Sequence, residues 1–112
     1  MSAPLSAYRT HGDLVFLSGH VPVDPANGSV PLAFEDQART ALGNLARTLA
    51  EAGSEPAKVL SITAFVAARE DIPTFNELYT QLFSAPYPAR AVLVADLPNV
   101  RYRIEIQATA HR

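Results

Sequence analysis

The strict alternation of apolar and polar residues near the C-terminus most constrains the fold of this chain. One alternating set is apolar: Tyr102, Ile104, Ile106, Ala108 and Ala110. The intervening set is polar: Arg101, Arg103, Glu105, Gln107 and Thr109. A period of two is typical of a β-strand that packs one face against other elements. The chain therefore contains a sheet, and something must cover its apolar face.

Two helical patterns predict what covers the sheet. Apolar residues recur every three to four positions from 34 to 52, which predicts a helix that Gly53 ends. A second helix is predicted to begin after Asp71, with Asp71 as its N-cap and Pro73 in its first turn.

The remaining apolar runs predict strands, bounded by Gly, Pro, Asp and Asn. These strands cover residues 5–10, 14–23, 59–67, 90–97 and 100–110, and the first two form a hairpin across residues 11–13. The resulting order, β-β-α-β-α-β-β, predicts a single α+β domain over residues 1–112. We expect a mixed sheet with both helices on one face.

Composition narrows the possible functions. The chain has no cysteine, which excludes disulfides and thiolate metal sites, and its three histidines lack metal-ligand spacing, so we predict no metal and no cofactor. Nine basic residues are scattered along a chain of net charge −2, which argues against a nucleic-acid partner. No signal peptide or membrane-spanning run is evident, which predicts a cytoplasmic protein without a membrane partner.

Arg90 and Glu105 are the candidate catalytic residues. If the last two strands form a hairpin through Pro98-Asn99 with an even loop, Val92 lies opposite Glu105. Arg90 and Glu105 then become diagonal neighbours on one face, ~7–8 Å apart. An odd loop would bury Arg90 beside Ile104 without a partner, at a cost of several kcal/mol, so the even loop is preferred.

This pair suits the binding of a small carboxylate. A guanidinium on a rigid strand can hold a carboxylate through two parallel hydrogen bonds, and a nearby glutamate can position or deprotonate a water. The alternative role is a plain ion pair between strands or subunits. With Arg90, Val92 and Val94 on a sheet face that no helix covers, we also predict an oligomer.

Two further segments carry alternatives. Ser18-Gly19-His20 places a hydroxyl near an imidazole but lacks the G-x-S-x-G elbow, and Gly19 more plausibly marks close backbone approach or a bulge. Asn76 on the second helix is either a surface polar residue or a pocket residue, and its spacing does not decide between them.

Taken together, these motifs resemble the reactive-intermediate deaminase family (Rid or YjgF, also called endoribonuclease L-PSP). The matching segments cover nearly the whole chain: Ser18 to Pro25, Gln37 to Leu45, Phe75 to Tyr79, Pro88-Ala89-Arg90, and Ile104 to Ala108. The pairing of Pro-Ala-Arg with Ile-Glu-Ile is its most specific part.

The resemblance implies a chorismate-mutase-like (bacillus type) α+β fold and a homotrimer with three clefts between subunits. It implies hydrolysis of small 2-imino or enamine acids to 2-keto acids and ammonia, without a cofactor, as in 2-iminobutanoate/2-iminopropanoate deaminases. Arg90 would hold the substrate carboxylate and Glu105 would position the attacking water. The remaining substrate-binding positions implied are Tyr8, Ser18, Gly19 and Asn76.

The chain departs from the family pattern at three side-chain positions, and Leu97-Pro98 falls one residue earlier than usual although the spacing from Arg90 to Glu105 is kept. Val92 stands where the imine-hydrolysing branch usually has cysteine, Val94 where it has glutamate, and His20 where it has glutamine. Two alternative functions remain. One is a trimer that binds small carboxylates without turnover, and the other is an endoribonuclease, against which the acidic pI of about 5.8 argues.

Overall fold

The structure of the protein is a computed structural model that describes residues 3–112. Within that range it has five strands and two helices, in the predicted order: β1 (Tyr8–His11), β2 (Leu14–Leu17), α1 (Phe34–Glu51), β3 (Val59–Val66), α2 (Ile72–Leu82), β4 (Ala89–Val94) and β5 (Ile104–His111). Short 3₁₀ turns at Pro56–Lys58 and Arg69–Asp71 precede β3 and α2. The predicted α+β class is confirmed.

The strands form one mixed sheet in the spatial order β1-β2-β5-β3-β4. β1 and β2 pair as the predicted hairpin, with Tyr8 opposite Leu17. β4 runs parallel to β3, and β5 runs antiparallel to both β2 and β3. The predicted hairpin between the last two strands is therefore wrong, because β3 lies between them.

Both helices pack on one face of this sheet, as predicted. The alternating residues of β5, from Ile104 to Ala110, meet the apolar stripes of α1 and α2 in one core, together with Val15, Ile62 and Val66. The burial of these apolar side chains in one cluster is the main stabilisation of the fold. Each Å² of apolar surface removed from water contributes about 25 cal/mol.

Gln37 is the buried polar residue that ties α1 to the start of β5. Its side chain is 1% exposed, and its Nε2 donates to the carbonyls of Pro31 and Arg101 at 2.8 and 2.9 Å. Its Oε1 accepts from the Arg103 N–H at 2.7 Å. Three hydrogen bonds satisfy this buried amide, so it fixes the segment that leads into β5.

Asp71 occupies the N-cap position of α2, as predicted, but its side chain makes no capping hydrogen bond. Its carboxylate instead accepts from Arg103 Nη2 at 2.8 Å. The charged partner from the neighbouring segment attracts the carboxylate more strongly than the helix N–H groups do. The α1 end follows prediction, with Gly53 at φ +81°, in the left-handed region that glycine adopts without strain.

The strands are shorter than predicted, most of all β2 and β5, while β1 and β4 are each shorter by two residues. β2 ends at Leu17, after which His20 alone pairs with Ile106, and β5 begins at Ile104 rather than at residue 100. Turns and bends occupy residues 98–103, where Asn99 Oδ1 accepts from the Arg101 N–H at 2.9 Å.

None of the described helices covers the opposite face of the sheet, and the residues on this face differ from the prediction. Val92 and Val94 pair with Ala64 and Val66, so they and Arg90 lie on the helix side. The uncovered face instead carries the alternate positions of the strands, including Phe16, Phe65, Leu93, Glu105 and Gln107. In the described residues no helix is long and apolar enough to cross a membrane.

Candidate functional site

Arg90 lies near the start of the edge strand β4, on the helix side of the sheet, opposite Ile62 of β3. Its side chain nevertheless stays exposed, because β4 forms the edge of the sheet beside α2. Arg90 Nη2 donates to Asn76 Oδ1 at 2.7 Å. The predicted cost of a buried, unpaired guanidinium on this face does not arise.

Aromatic rings support the Arg90 guanidinium from below. Its Cζ lies 4.8 Å from the centroid of the Tyr79 ring and 5.7 Å from that of Phe75. Both distances are within the ~6 Å reach of a cation–π interaction. Asn76 and Tyr79 therefore fix the position of the guanidinium, while most of its five N–H donors remain available.

A cavity of about 400 Å³ opens beside this arginine. Its lining consists of Asn76, Tyr79, Thr80, Tyr87, Pro88 and Arg90. Arg90 is the charged residue of this lining, so the cavity is suited to one anionic group with a less polar body.

Tyr79 lies beneath the cavity as a neutral phenol. Its side chain is 4% exposed, and among the described residues its hydroxyl has no hydrogen-bond partner. Burial raises the pKa of Tyr79, and the Arg90 charge opposes that shift only in part. The phenol therefore stays protonated at physiological pH, and its ring serves as a platform for Arg90.

Glu105 lies on the other face of the sheet, against Gly19. A Cβ atom on Gly19 would overlap Glu105 Oε2 and would come within 2.9 Å of the carboxylate carbon. The prediction that Gly19 marks a close approach is confirmed, and the approaching group is the Glu105 side chain. Within residues 3–112 we find no hydrogen bond or ion pair that engages this carboxylate.

Ser18, next to Gly19 in the sequence, bonds the N-terminal segment, whereas Tyr8 lies on the other face of the sheet from Glu105. The Ser18 hydroxyl donates to the Ser6 carbonyl, and the Ser18 N–H donates to the Ala7 carbonyl at 2.9 Å. Tyr8 lies on the helix side of β1, half-buried against the core. The Ser18 hydroxyl thus has a structural partner here, and Tyr8 is turned to the other face of the sheet.

His20 is a neighbour of this group whose contacts the sequence did not predict. Its Nδ1 lies 2.7 Å from the Ser18 carbonyl and its Nε2 lies 2.8 Å from Thr48 Oγ1. A carbonyl only accepts, so Nδ1 carries the proton and Nε2 accepts from the Thr48 hydroxyl. Burial lowers the pKa of His20, opposed by the Ser18 carbonyl and the Glu105 charge. His20 is therefore a neutral bridge from the Ser18-Gly19 segment to α1.

Five of the six predicted site residues thus fall into two groups, and Tyr8 belongs to neither. Arg90 and Asn76 lie together on the helix side of the β4 edge, whereas Ser18, Gly19 and Glu105 lie together near β5. The prediction that Arg90 and Glu105 share a face is wrong, because the register joins Leu93, Phe65 and Glu105 in one row and Arg90, Ile62 and Ala108 in another. An odd separation between these rows puts the two side chains on opposite faces.

Comparison with known proteins identifies the family. The sequence model described as Endoribonuclease L-PSP matches residues 1–112. The 2-iminobutanoate/2-iminopropanoate deaminase of Escherichia coli K12 is 37% identical over 105 residues, which cover 90% of this chain and 81% of that protein. The enzyme of the same name from Bos taurus is 38% identical over 98 residues, which cover 86% and 71%.

A solved structure agrees with these sequence matches. The crystal structure of E. coli TdcF with bound serine matches with a TM-score of 0.91 and 33% identity, over 100% of this chain and 91% of that one. The resemblance inferred from the motifs is confirmed. The chain belongs to the endoribonuclease L-PSP family, to which reactive-intermediate deaminases are related in both sequence and fold.

Proposed function

We propose that this protein hydrolyses small 2-imino acids to 2-keto acids and ammonia without a cofactor. The observation that carries the proposal is the Arg90 guanidinium, held by Asn76 and Tyr79 at the mouth of a cavity. Relatives at 37–38% identity are named 2-iminobutanoate/2-iminopropanoate deaminases, which supports the same reaction class.

The chemistry needs one anchor and one base. Arg90 binds the substrate carboxylate through two N–H donors, which places the adjacent protonated C=N carbon in the cleft. Glu105 takes a proton from a water whose oxygen bonds to that carbon, giving a carbinolamine. The carbinolamine nitrogen takes this proton back from Glu105, the C–N bond breaks with its electron pair on nitrogen, and ammonia leaves. Loss of the hydroxyl proton forms the keto group.

The placement of the two residues on opposite faces requires a second subunit. We propose a homotrimer in which each cleft combines Arg90 of one subunit with Glu105 of the partner subunit. The uncovered sheet face supports assembly, since Phe16 and Leu93 on it are each 46% exposed. Large apolar side chains left on one sheet face are typical of an interface between subunits. A cytoplasmic location stays a prediction from the sequence.

Ammonia release tests the proposal directly. An amino-acid oxidase or a dehydratase generates the imino acid in the assay, and ammonia is followed in the first seconds with and without the protein. We expect the protein to accelerate release above the spontaneous rate in proportion to its concentration. If ammonia appears at the spontaneous rate while small carboxylates still bind, the protein is the carboxylate-binding trimer instead.

Gly19→Ala separates the role of Glu105 in the cleft from a role in folding. The new methyl group would occupy the space of the Glu105 carboxylate, which is the far end of a flexible side chain and can move away. We expect stability to change by less than about 1 kcal/mol. The hydrolysis rate should fall by about tenfold to a hundredfold, because a displacement of about 1 Å in a catalytic group can have that effect.

Gly43→Ala is the matched control, because Gly43 lies in α1 with open space around its Cβ position. We expect this variant to keep the wild-type rate and to gain ~0.5–1 kcal/mol of stability. Thermal melts and initial rates on the two variants decide the matter. A fully active Gly19→Ala protein would show that the carboxylate position against Gly19 is unimportant for turnover.

A further inference from the structure

The cavity beside Arg90 is larger than a short imino acid requires. Its volume of about 400 Å³ lies within the ~300–1,000 Å³ range of pockets that enclose drug-sized ligands. A carboxylate on Arg90 with a methyl or ethyl side chain would leave much of this space empty or hydrated. The residues that line the rest of the cavity therefore determine which substrate side chain fits.

Three polar atoms of the cavity walls are engaged or buried, so that, apart from Arg90, the Asn76 amide nitrogen and the Tyr87 hydroxyl are the side-chain polar groups left for a ligand. Asn76 Oδ1 accepts from Arg90 at 2.7 Å, and the Thr80 hydroxyl donates to the Glu77 carbonyl at 2.9 Å. The Tyr79 hydroxyl is buried away from solvent. What remains for a ligand is mostly carbon, which favours an apolar group.

Tyr87 and Pro88 form the outer wall of the cavity. Tyr87 is 53% exposed, and its ring centroid lies 6.4 Å from that of Tyr79 at an interplanar angle of 33°. A large aromatic side chain so exposed gains from a ligand that covers it. Flat ring faces of this kind suit a flat or branched apolar group.

We infer that Arg90 and Tyr87 form the two ends of one subsite, which selects 2-imino acids with a bulky apolar side chain, aromatic above all. The carboxylate binds to the Arg90 guanidinium and the side chain packs against the Tyr87 ring and Pro88. This inference rests on the proposed function in taking the substrate to be an imino acid. The preference for a bulky apolar side chain, however, is a property of binding. It can therefore be measured without turnover.

Binding of stable carboxylates tests the subsite. The probes are 3-phenylpropanoate and propanoate, which share the carboxylate and differ in the ring, with 3-phenylpropanamide as the uncharged control. We expect 3-phenylpropanoate to bind about tenfold more tightly than propanoate, which corresponds to about 1.4 kcal/mol. The amide should bind much more weakly than the acid, because it offers Arg90 no negative charge.

Variants assign that difference to the named residues. Tyr87→Ala should weaken binding of the phenyl acid much more than that of propanoate and so remove the preference, whereas Tyr87→Phe should retain it. Arg90→Ala should abolish binding of both acids. Titration calorimetry at fixed ionic strength, with melting curves on the same samples, gives the affinities and shows that the variants fold.

Three outcomes overturn the inference: equal affinity for the two acids, equal weakening of both by Tyr87→Ala, or no binding of either at millimolar concentration. Failure of the proposed hydrolysis is distinguishable from these. A protein that releases no ammonia from imino acids but shows the Tyr87-dependent preference has the subsite without the activity.

Discussion

Arg90→Ala should lower the rate of imine hydrolysis by about a hundredfold, because it removes about 3 kcal/mol of charge-assisted binding to the substrate carboxylate. The fold should survive this change. Arg90 is exposed at the sheet edge, and its hydrogen-bond partner Asn76 can turn to water when the guanidinium is removed. The expected result is a stable, assembled and nearly inactive protein.

Arg90→Lys tests whether the site needs the two parallel hydrogen bonds of a guanidinium or only a positive charge. An ammonium could still lie over the Tyr79 ring, but it cannot form two parallel hydrogen bonds to a carboxylate. We expect this variant to lose most of the activity as well. If positive charge alone were enough, the lysine variant would retain a rate close to that of the wild type.

Arg39→Ala is the matched control for Arg90. Arg39 is also an exposed arginine whose guanidinium donates to a side-chain amide oxygen, that of Gln81, at 3.4 Å. It lies on α1, outside the cavity that Arg90 lines. We expect wild-type hydrolysis from this variant. If Arg90→Ala melts earlier and assembles less while Arg39→Ala does not, Arg90 is a structural ion-pair partner, and the carboxylate role is wrong.

Local patterns predicted the helices well. The apolar period of α1 predicted residues 34 to 52, and the structure has Phe34–Glu51, ended at Gly53. The same holds for the start of α2 at Ile72, which follows from Asp71 and Pro73. These boundaries depend on residues within one or two turns, so a single sequence contains the information.

Strand pairing was the part that local patterns did not predict. The last two strands are separated by a short turn region, which favours a hairpin, but the β3-α2-β4 unit places β4 beside β3 instead. Such strand-helix-strand units join parallel neighbours by a right-handed crossover. Because β3 lies between β4 and β5, the residue pairing of a direct hairpin does not apply. Arg90 and Glu105 therefore lie on opposite faces of the sheet. The strand-helix-strand order in the sequence was the signal that could have corrected it.

The sequence also did not predict the hydrogen bonds of two polar side chains in or beside the core. Gln37 lies within the buried face of α1 and bonds three backbone groups, two of which belong to residues 101 and 103. His20 likewise bonds Thr48, far along the chain. A polar residue within an apolar helix stripe is the available sign of such a contact. Its partner depends on tertiary structure and cannot be deduced from spacing.

Two inactive variants should restore activity to each other when they share a trimer. Arg90→Ala keeps Glu105, and Glu105→Gln keeps Arg90. If each cleft takes Arg90 from one subunit and Glu105 from the partner subunit, a mixed trimer contains one cleft with both native residues. With random assembly of equal amounts, three quarters of the cyclic trimers are mixed, and each of these has one native cleft out of three. We therefore expect about a quarter of the wild-type rate before purification of the mixed trimers and about a third after it.

The experiment uses co-expression of the two variants with different affinity tags, followed by purification through both tags. Light scattering should give a mass of three chains of 12.0 kDa each. Purified single-variant proteins pooled without subunit exchange are the control, and they should remain inactive. Because Arg90 and Glu105 lie on opposite faces of the sheet in one subunit, this assay decides whether the cleft lies between subunits. Should doubly tagged trimers stay as inactive as their parents, Arg90 and Glu105 do not act together across a subunit boundary, and Glu105 loses its proposed role.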